Sequence, residues 1–234
     1  MVILALDTSS AGGSAALVRE TTIVSERAGD GSRTHGQRLP LELMTVLRDA
    51  GAELTDVDRL AVVAGPGSFT GLRVGIATIQ GLAVARHTLV TPVPTFEALA
   101  WHARGGADAI ATWVDAHRGE VFAVLFAPDG RTILAPATSL TPAATLEAWR
   151  DALAPHDRVR FVGDGAIRYR DIVGERLGAK AAIDPAVPLL AGAIGLIAQA
   201  EPDRAVRPHA VVPIYVRRPD VELTRDRRHA LTKS

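Results

Sequence analysis

The residues best suited to chemistry are a few acidic and hydroxyl side chains at the ends of apolar runs. Asp7-Thr8-Ser9 ends the run that opens the chain, Asp115 ends "AIATWVD", and Gly163-Asp164-Gly165-Ala166 follows "VRFV". Asp7 and Asp115 so placed can hold Mg2+, hydroxyls and turn amides take phosphates, and the turn at 163–166 lies where a two-lobed nucleotide-binding fold sets glycines against the nucleoside. That is nucleotide chemistry, yet the remaining equipment is thin. The turn in "DTSSAGGSAAL" has no lysine to reach a phosphate. In "AGPGSFTGLRVGIATIQGLA", residues 64–83, Gly71 is followed by Leu72-Arg73 where a P-loop needs Lys and Ser or Thr. Thr70 stands where a dinucleotide fingerprint needs its third glycine.

Other reactions lack their sets as well. A helical two-histidine metal site needs its pair at i and i+4; His35 has Leu39 at that spacing, and His102, His117, His156 and His209 lie far apart. Neither Ser14 nor Ser68 sits in G-x-S-x-G. No catalytic residue and no metal ligand emerges, and an aspartate at a strand end also serves simply to cap a turn.

The glycines of 64–83 have another use. On a helix over 70–86, Gly71, Gly75 and Thr78 share a stripe that Ile79 and Leu82 extend. Each interior glycine costs about 1 kcal/mol against alanine, so a close neighbour has to offset it. Gly65-Pro66-Gly67 fits a tight strand-to-helix turn with Ser68 as N-cap. The neighbour favoured here is another helix, and the leucine-faced segment 35–50 is the obvious mate, through Leu39, Leu43, Val46 and Leu47. Such a pair either packs wholly inside its own chain or offers a face to a second one. Pro40 is expected to kink the first turn of 35–50 or delay its start.

Stepping along the chain, strands are expected at 2–7, 14–18 and 22–27, then helix 35–50, strand 60–65, helix 70–86, a strand near 89–93 and a helix near 95–103. The order then restarts: strands 109–116 and 119–126, a third after the Pro-Asp-Gly turn at 128–130, a helix after Thr141-Pro142, strand 159–163, and helical segments near 166–177 and 188–200. The repeat predicts an α/β protein of two duplicated lobes, each a three-stranded meander with α/β crossovers, in the actin-like, sugar-kinase-like ATPase architecture. Residues 1–105 and 106–219 would be the lobes and 220–234 a mobile tail; an ordinary single α/β domain is the alternative.

Composition narrows partners. The chain has 234 residues, 47% hydrophobic and 4% aromatic, with 26 basic and 26 acidic side chains, so no global field draws in nucleic acid. Absence of cysteine excludes disulfides and thiolate chemistry. "MVILALDTSS" lacks a basic leader region, and "LLAGAIGLIAQA" is shorter than a membrane span, so a cytoplasmic location without membrane contact is expected.

"ILALDTS", "GPGSFTGLRVGIATIQGLA", "VDAHRGEVF" and "VPIYVRRP" resemble, in order and spacing, the TsaB (YeaZ) family, from residue 2 to about 219. The resemblance implies an accessory, non-catalytic scaffold for tRNA N6-threonylcarbamoyladenosine at adenosine 37, with a degenerate nucleotide cleft at Asp7, Thr8, Ser9, Asp115, Gly163 and Gly165. It implies a heterodimer with the catalytic paralogue TsaD, on which the ATPase TsaE docks, and a homodimer when alone. Both would form through the first two helices, here His35, Leu39, Leu43, Val46 and Leu47 with Gly71, Val74, Gly75, Thr78, Ile79 and Leu82. No cofactor is required, weak ADP or ATP binding in the cleft or at the complex interface is compatible, and tRNA contact is expected to be indirect. Arg225, Arg227 and Arg228 are candidate RNA contacts in the tail. The alternatives are a small-molecule kinase or ATPase acting on its own, and a zinc peptidase.

Overall fold

The computed structural model describes residues 1–216; the expected tail with Arg225, Arg227 and Arg228 lies outside the described residues. The apolar run at the start becomes β1 (Val2–Asp7), which pairs antiparallel with β2 (Ser14–Arg19), itself antiparallel to β3 (Thr22–Ala28). Next come α1 (His35–Asp49), β4 (Arg59–Gly65), α2 (Phe69–Arg86), β5 (Val90–Pro94) and α3 (Thr95–His102). β4 lies parallel to β1, with Leu4 opposite Leu60, and gives the sheet order β3-β2-β1-β4-β5.

The second half follows the same plan. β6 (Ala109–Asp115), β7 (Val121–Phe126) and β8 (Ile133–Leu140) form its meander, and α4 (Pro142–Ala148) and α5 (Arg150–Leu153) follow. Then come β9 (Val159–Val162), α6 (Asp164–Arg168), α7 (Arg170–Leu177), β10 (Ala181–Ile183) and α8 (Ala191–Ala200). Its order, β8-β7-β6-β9-β10, repeats the first sheet strand for strand. The fold is the duplicated actin-like α/β architecture.

Strand alternation divides the interior. Leu4, Leu6, Leu17, Leu60 and Val62 face a core closed by α1 and α2. Ile3, Ala5, Val18, Ala61 and Val63 face the opposite way, into a core shared with Ile110, Val114, Val124 and Phe126 of the second sheet through α3 and α8. Both faces of the first sheet are therefore covered, which is why β1 reads as an unbroken apolar run. Trp113, Trp149 and Phe161 fill the outer core of the second lobe, with Trp113 edge-on to both other rings.

The expected second lobe, 106–219, is divided in its contacts. α8 packs on β1, β2 and β4 of the first sheet. Its first amides donate to first-lobe side chains: Leu190 and Ala191 to Ser14 Oγ at 3.1 and 3.0 Å, and Gly192 to Glu26 at 2.7 Å. The chain behind it stays there, since Gln80 Nε2 donates to the carbonyls of Pro208 and Val211 and the Ile214 amide donates to Ala64 O at 2.7 Å. Three local expectations change. α1 starts at His35 and runs through Pro40, which faces solvent. The segment 166–177 divides at Tyr169 into α6 and α7, and β10, three residues long, carried no strand pattern of its own.

Candidate functional site

Between the lobes, beyond the ends of β1, β4 and β6, opens a cleft of about 610 Å3. Ser9, Ser10, Pro66, Ser68, Asp115 and Asp164 line it, and Phe69, Phe122, His117 and Tyr215 stand around it. The fold thus brings together Ser9 from the first hairpin and Asp115 from the second, as the sequence suggests. Asp164 joins them; it lies inside the glycine turn of 163–166 and is the member that the spacing argument passed over.

The other cleft candidates are elsewhere. Asp7 is 4% exposed and does not line the cleft, because its carboxylate turns back to accept the Ser9 amide at 2.8 Å. Burial pushes its carboxyl above the usual range, helped by Asp164 and opposed by the hydrogen bonds from Ser9. Thr8 is fully buried against α2. Gly163 and Gly165 are packing residues: a side chain at Gly163, whose φ is +113°, would overlap Trp113 O, and one at Gly165 would meet the backbone of Val114 at 2.9 Å. They let α6 close on β6.

Asp164 accepts the amides of Asp115 and Gly165 at 2.9 and 2.8 Å, and burial raises its pKa despite them. Asp115 accepts the His117 amide at 3.0 Å and lies 3.4 Å from Arg168. Behind the first turn sits Arg38, buried in a helix interior. Its Nη2 donates to the carbonyls of Ala11 and Gly12 at 3.0 and 2.6 Å, and its Nη1 pairs with Glu42 at 2.6 Å. That cation is committed to holding the turn from the rear.

The cleft is therefore acidic at its floor and has no lysine or arginine among its described lining residues. A Mg2+-bound triphosphate needs an open carboxylate and cations for its phosphates. Asp7 is turned away, Asp115 is beside Arg168, Asp164 accepts two backbone amides through one oxygen, and Arg38 is spent on carbonyls. What the described lining lacks is the cations that such a ligand needs.

The helix pair shows a different distribution from the one expected. Leu39, Leu43, Val46, Leu47 and Ile79 are buried in the first-lobe core and offer nothing to a second chain. Gly71 and Gly75 are filled from within: side chains there would overlap Thr8 O and Thr8 Oγ1. The glycine stripe receives a turn of its own chain, so the helix-on-helix reading of these two residues is corrected. Val74, Thr78 and Leu82 are half-buried at the rim, and His35 is half-buried beside Ser10, where burial and Arg38 lower its pKa. The outward faces carry Leu41, Met44 and Val84, exposed to 65, 56 and 63%, with Ala77 and Gly81 among them. A side chain at Gly81 would meet nothing within 4 Å.

Residues 23–171 match the profile of the family described as "TsaD: tRNA N6-adenosine threonylcarbamoyltransferase". The tRNA threonylcarbamoyladenosine biosynthesis protein TsaB of Bacillus subtilis is 28% identical over 95% of this chain and 96% of its own. YeaZ from Pseudomonas aeruginosa superposes with a TM-score of 0.74 at 29% identity, covering 92% of this chain and 99% of that one. A Clostridium difficile activator of 2-hydroxyisocaproyl-CoA dehydratase, solved with ADPNP, has a TM-score of 0.50 at 11% identity over 87% of this chain and 96% of that one, and is similar in fold alone. The chain belongs to the family that the TsaD profile describes, on its TsaB (YeaZ) branch.

Proposed function

We propose that this chain is a non-catalytic subunit in the biosynthesis of threonylcarbamoyladenosine on tRNA. It holds the catalytic relative, TsaD, through the outward faces of α1 and α2, and the chemistry takes place in that partner. The observation that carries the reading is the contrast between two surfaces. In the cleft that should hold a nucleotide, Asp7 is turned away, Asp115 lies beside Arg168, and no lysine or arginine stands among the described lining residues to take phosphates. On α1 and α2, by contrast, Leu41, Met44 and Val84 stand in solvent, and a side chain at Gly81 would meet nothing within 4 Å. Apolar side chains gathered on one exposed helical face are the kind of surface that a partner covers. A second copy in place of the partner, and the ATPase TsaE on the finished heterodimer, belong to the same reading.

Gly81→Leu tests it. The substitution fills the outer notch without touching the interior, so the chain should fold as before and fail to co-purify with TsaD, and reconstituted tRNA modification should fall with it. An intact complex with full modification would refute the placement of the interface. The rival, an ATPase or kinase acting on its own, predicts that Asp115→Asn abolishes an activity of the isolated chain; the scaffold reading predicts that modification by the assembled complex survives it.

A further inference from the structure

Of the aromatic side chains that the structure describes, Phe69 and Tyr215 alone expose more than a third of their surface, at 40 and 38%. They come from opposite ends of the chain and meet at the mouth of the cleft. Phe69 opens α2, and Tyr215 is carried there by the returning segment that the Ile214–Ala64 hydrogen bond fixes in place. Their ring centroids are 5.8 Å apart with the planes inclined by 36°. Arg73, one turn along α2, lays its guanidinium 3.7 Å from the Phe69 centroid and donates from Nε to the Tyr215 hydroxyl at 3.1 Å. Among the described residues no carboxylate lies within ion-pair distance of Arg73, so its charge stays open to a ligand.

We propose that Phe69, Arg73 and Tyr215 form a stacking ledge for an unpaired base of RNA. Exposed rings flanking a cation are the elements from which single-stranded nucleic acid sites are built: bases stack on the rings, and the guanidinium adds a cation–π contact and attracts phosphate. The cleft beneath decides between a free nucleotide and a base on a strand. Asp115 and Asp164 at its floor oppose a polyphosphate tail, whereas a base held in an RNA loop brings one phosphate per residue and keeps its backbone outside. A purely structural cluster would bury the rings; these leave much of their surface in solvent.

The proposal rests on the scaffold reading for its choice of RNA, and makes tRNA contact direct where the sequence suggested an indirect one. Its test uses the assembled complex with TsaD and three probes: a tRNA transcript, an RNA duplex without a loop, and ADP. Phe69→Leu and Tyr215→Leu each remove a ring and keep apolar volume; Arg73→Gln removes the charge and serves where a ring variant fails to fold. Each should weaken binding of the tRNA transcript roughly ten-fold at fixed salt, leave duplex binding unchanged, and leave assembly intact. Unchanged tRNA affinity, equal weakening for the duplex, ADP affinity falling in place of tRNA affinity, or loss of the partner would each overturn the ledge. Wild-type protein that binds the transcript through these residues but never assembles with TsaD would sink the scaffold reading and leave the ledge standing.

Discussion

Thr8 occupies the notch that Gly75 leaves in α2. A methyl group at residue 75 would overlap Thr8 Oγ1 and come within 2.9 Å of Cγ2 and 3.0 Å of Cβ, while one at residue 71 would overlap the Thr8 carbonyl oxygen. The turn between β1 and β2, which supplies Ser9 and Ser10 to the cleft, is thereby locked onto the helix whose other side faces solvent.

These contacts separate two substitutions that look alike in sequence. Gly75→Ala gains about 1 kcal/mol of helix propensity and meets a side chain, so it should destabilise by about 1–3 kcal/mol as an overpacked site. Thr8→Ala in the same molecule removes Oγ1 and Cγ2, the two nearest atoms, and should restore most of the loss. Gly71→Ala meets backbone, and Thr8→Ala should not rescue it. Urea midpoints of the single and double variants give the coupling directly; equal rescue at both positions would contradict the geometry.

Gly81 gives the opposite expectation. With nothing within 4 Å of an added Cβ and a helical interior position, Gly81→Ala should stabilise the isolated chain by about 1 kcal/mol. For a domain of this size that is roughly 2–4 °C in Tm. A loss of stability in the free chain would mean that the outer face of α2 is covered after all.

How far the sequence could lead shows best on α2. Its start was legible: Ser68 caps it, accepting from the Gly71 amide at 3.2 Å, and the helical stripe of Gly71, Gly75 and Thr78 follows from spacing alone. Periodicity says that residues share a face, but not which face looks inward. Gly81 lies about a third of a turn round the helix from Gly75, so the notches point different ways. The occupant of the inner one comes from the turn after β1, sixty-odd residues earlier, and no local pattern announces it. The leucines of α1 misled for a related reason: an amphipathic helix first buries its apolar stripe in its own domain, which leaves Leu41 and Met44, outside the stripe, as the exposed ones. In the cleft, strand ends were readable and side-chain direction was not. Asp7 turns back to the Ser9 amide, and Asp164, hidden between two conspicuous glycines, is the carboxylate that faces the opening.

Asp7 should make stability depend on pH. Burial raises its carboxyl pKa in the folded state, Asp164 raises it further, and Arg38 lowers it. Between the unfolded and the folded pKa the native chain therefore holds a proton that the unfolded chain has released, so stability falls as pH rises through that window. Asp7→Asn keeps an oxygen for the Ser9 amide and removes the charge. It should raise Tm at pH 7–8, and the advantage should vanish below about pH 4, where the unfolded carboxyl is protonated as well. A variant whose advantage is the same at both pH values would show that the gain is packing and not ionisation.

Arg38 is the strongest single test of how the cleft turn is held. Its guanidinium binds two carbonyls of that turn and the Glu42 carboxylate from a buried position. Arg38→Met fills the space of the stem, leaves Glu42 without its ion pair and strips the Ala11 and Gly12 carbonyls of their donor. Breaking a buried pair from one side costs about 3–5 kcal/mol, and the lost hydrogen bonds act in the same direction. Glu42→Gln in the same background removes the stranded charge and should recover part of the loss, but not the part owed to the carbonyls. Hydrogen exchange then separates the two contributions: amides of residues 9–13 should exchange faster in both variants, while those of α1 should recover protection in the double one. If the turn stayed protected without the guanidinium, Arg38 would be only an ion-pair partner, and the shape of the cleft would have to come from Thr8 and α2 alone.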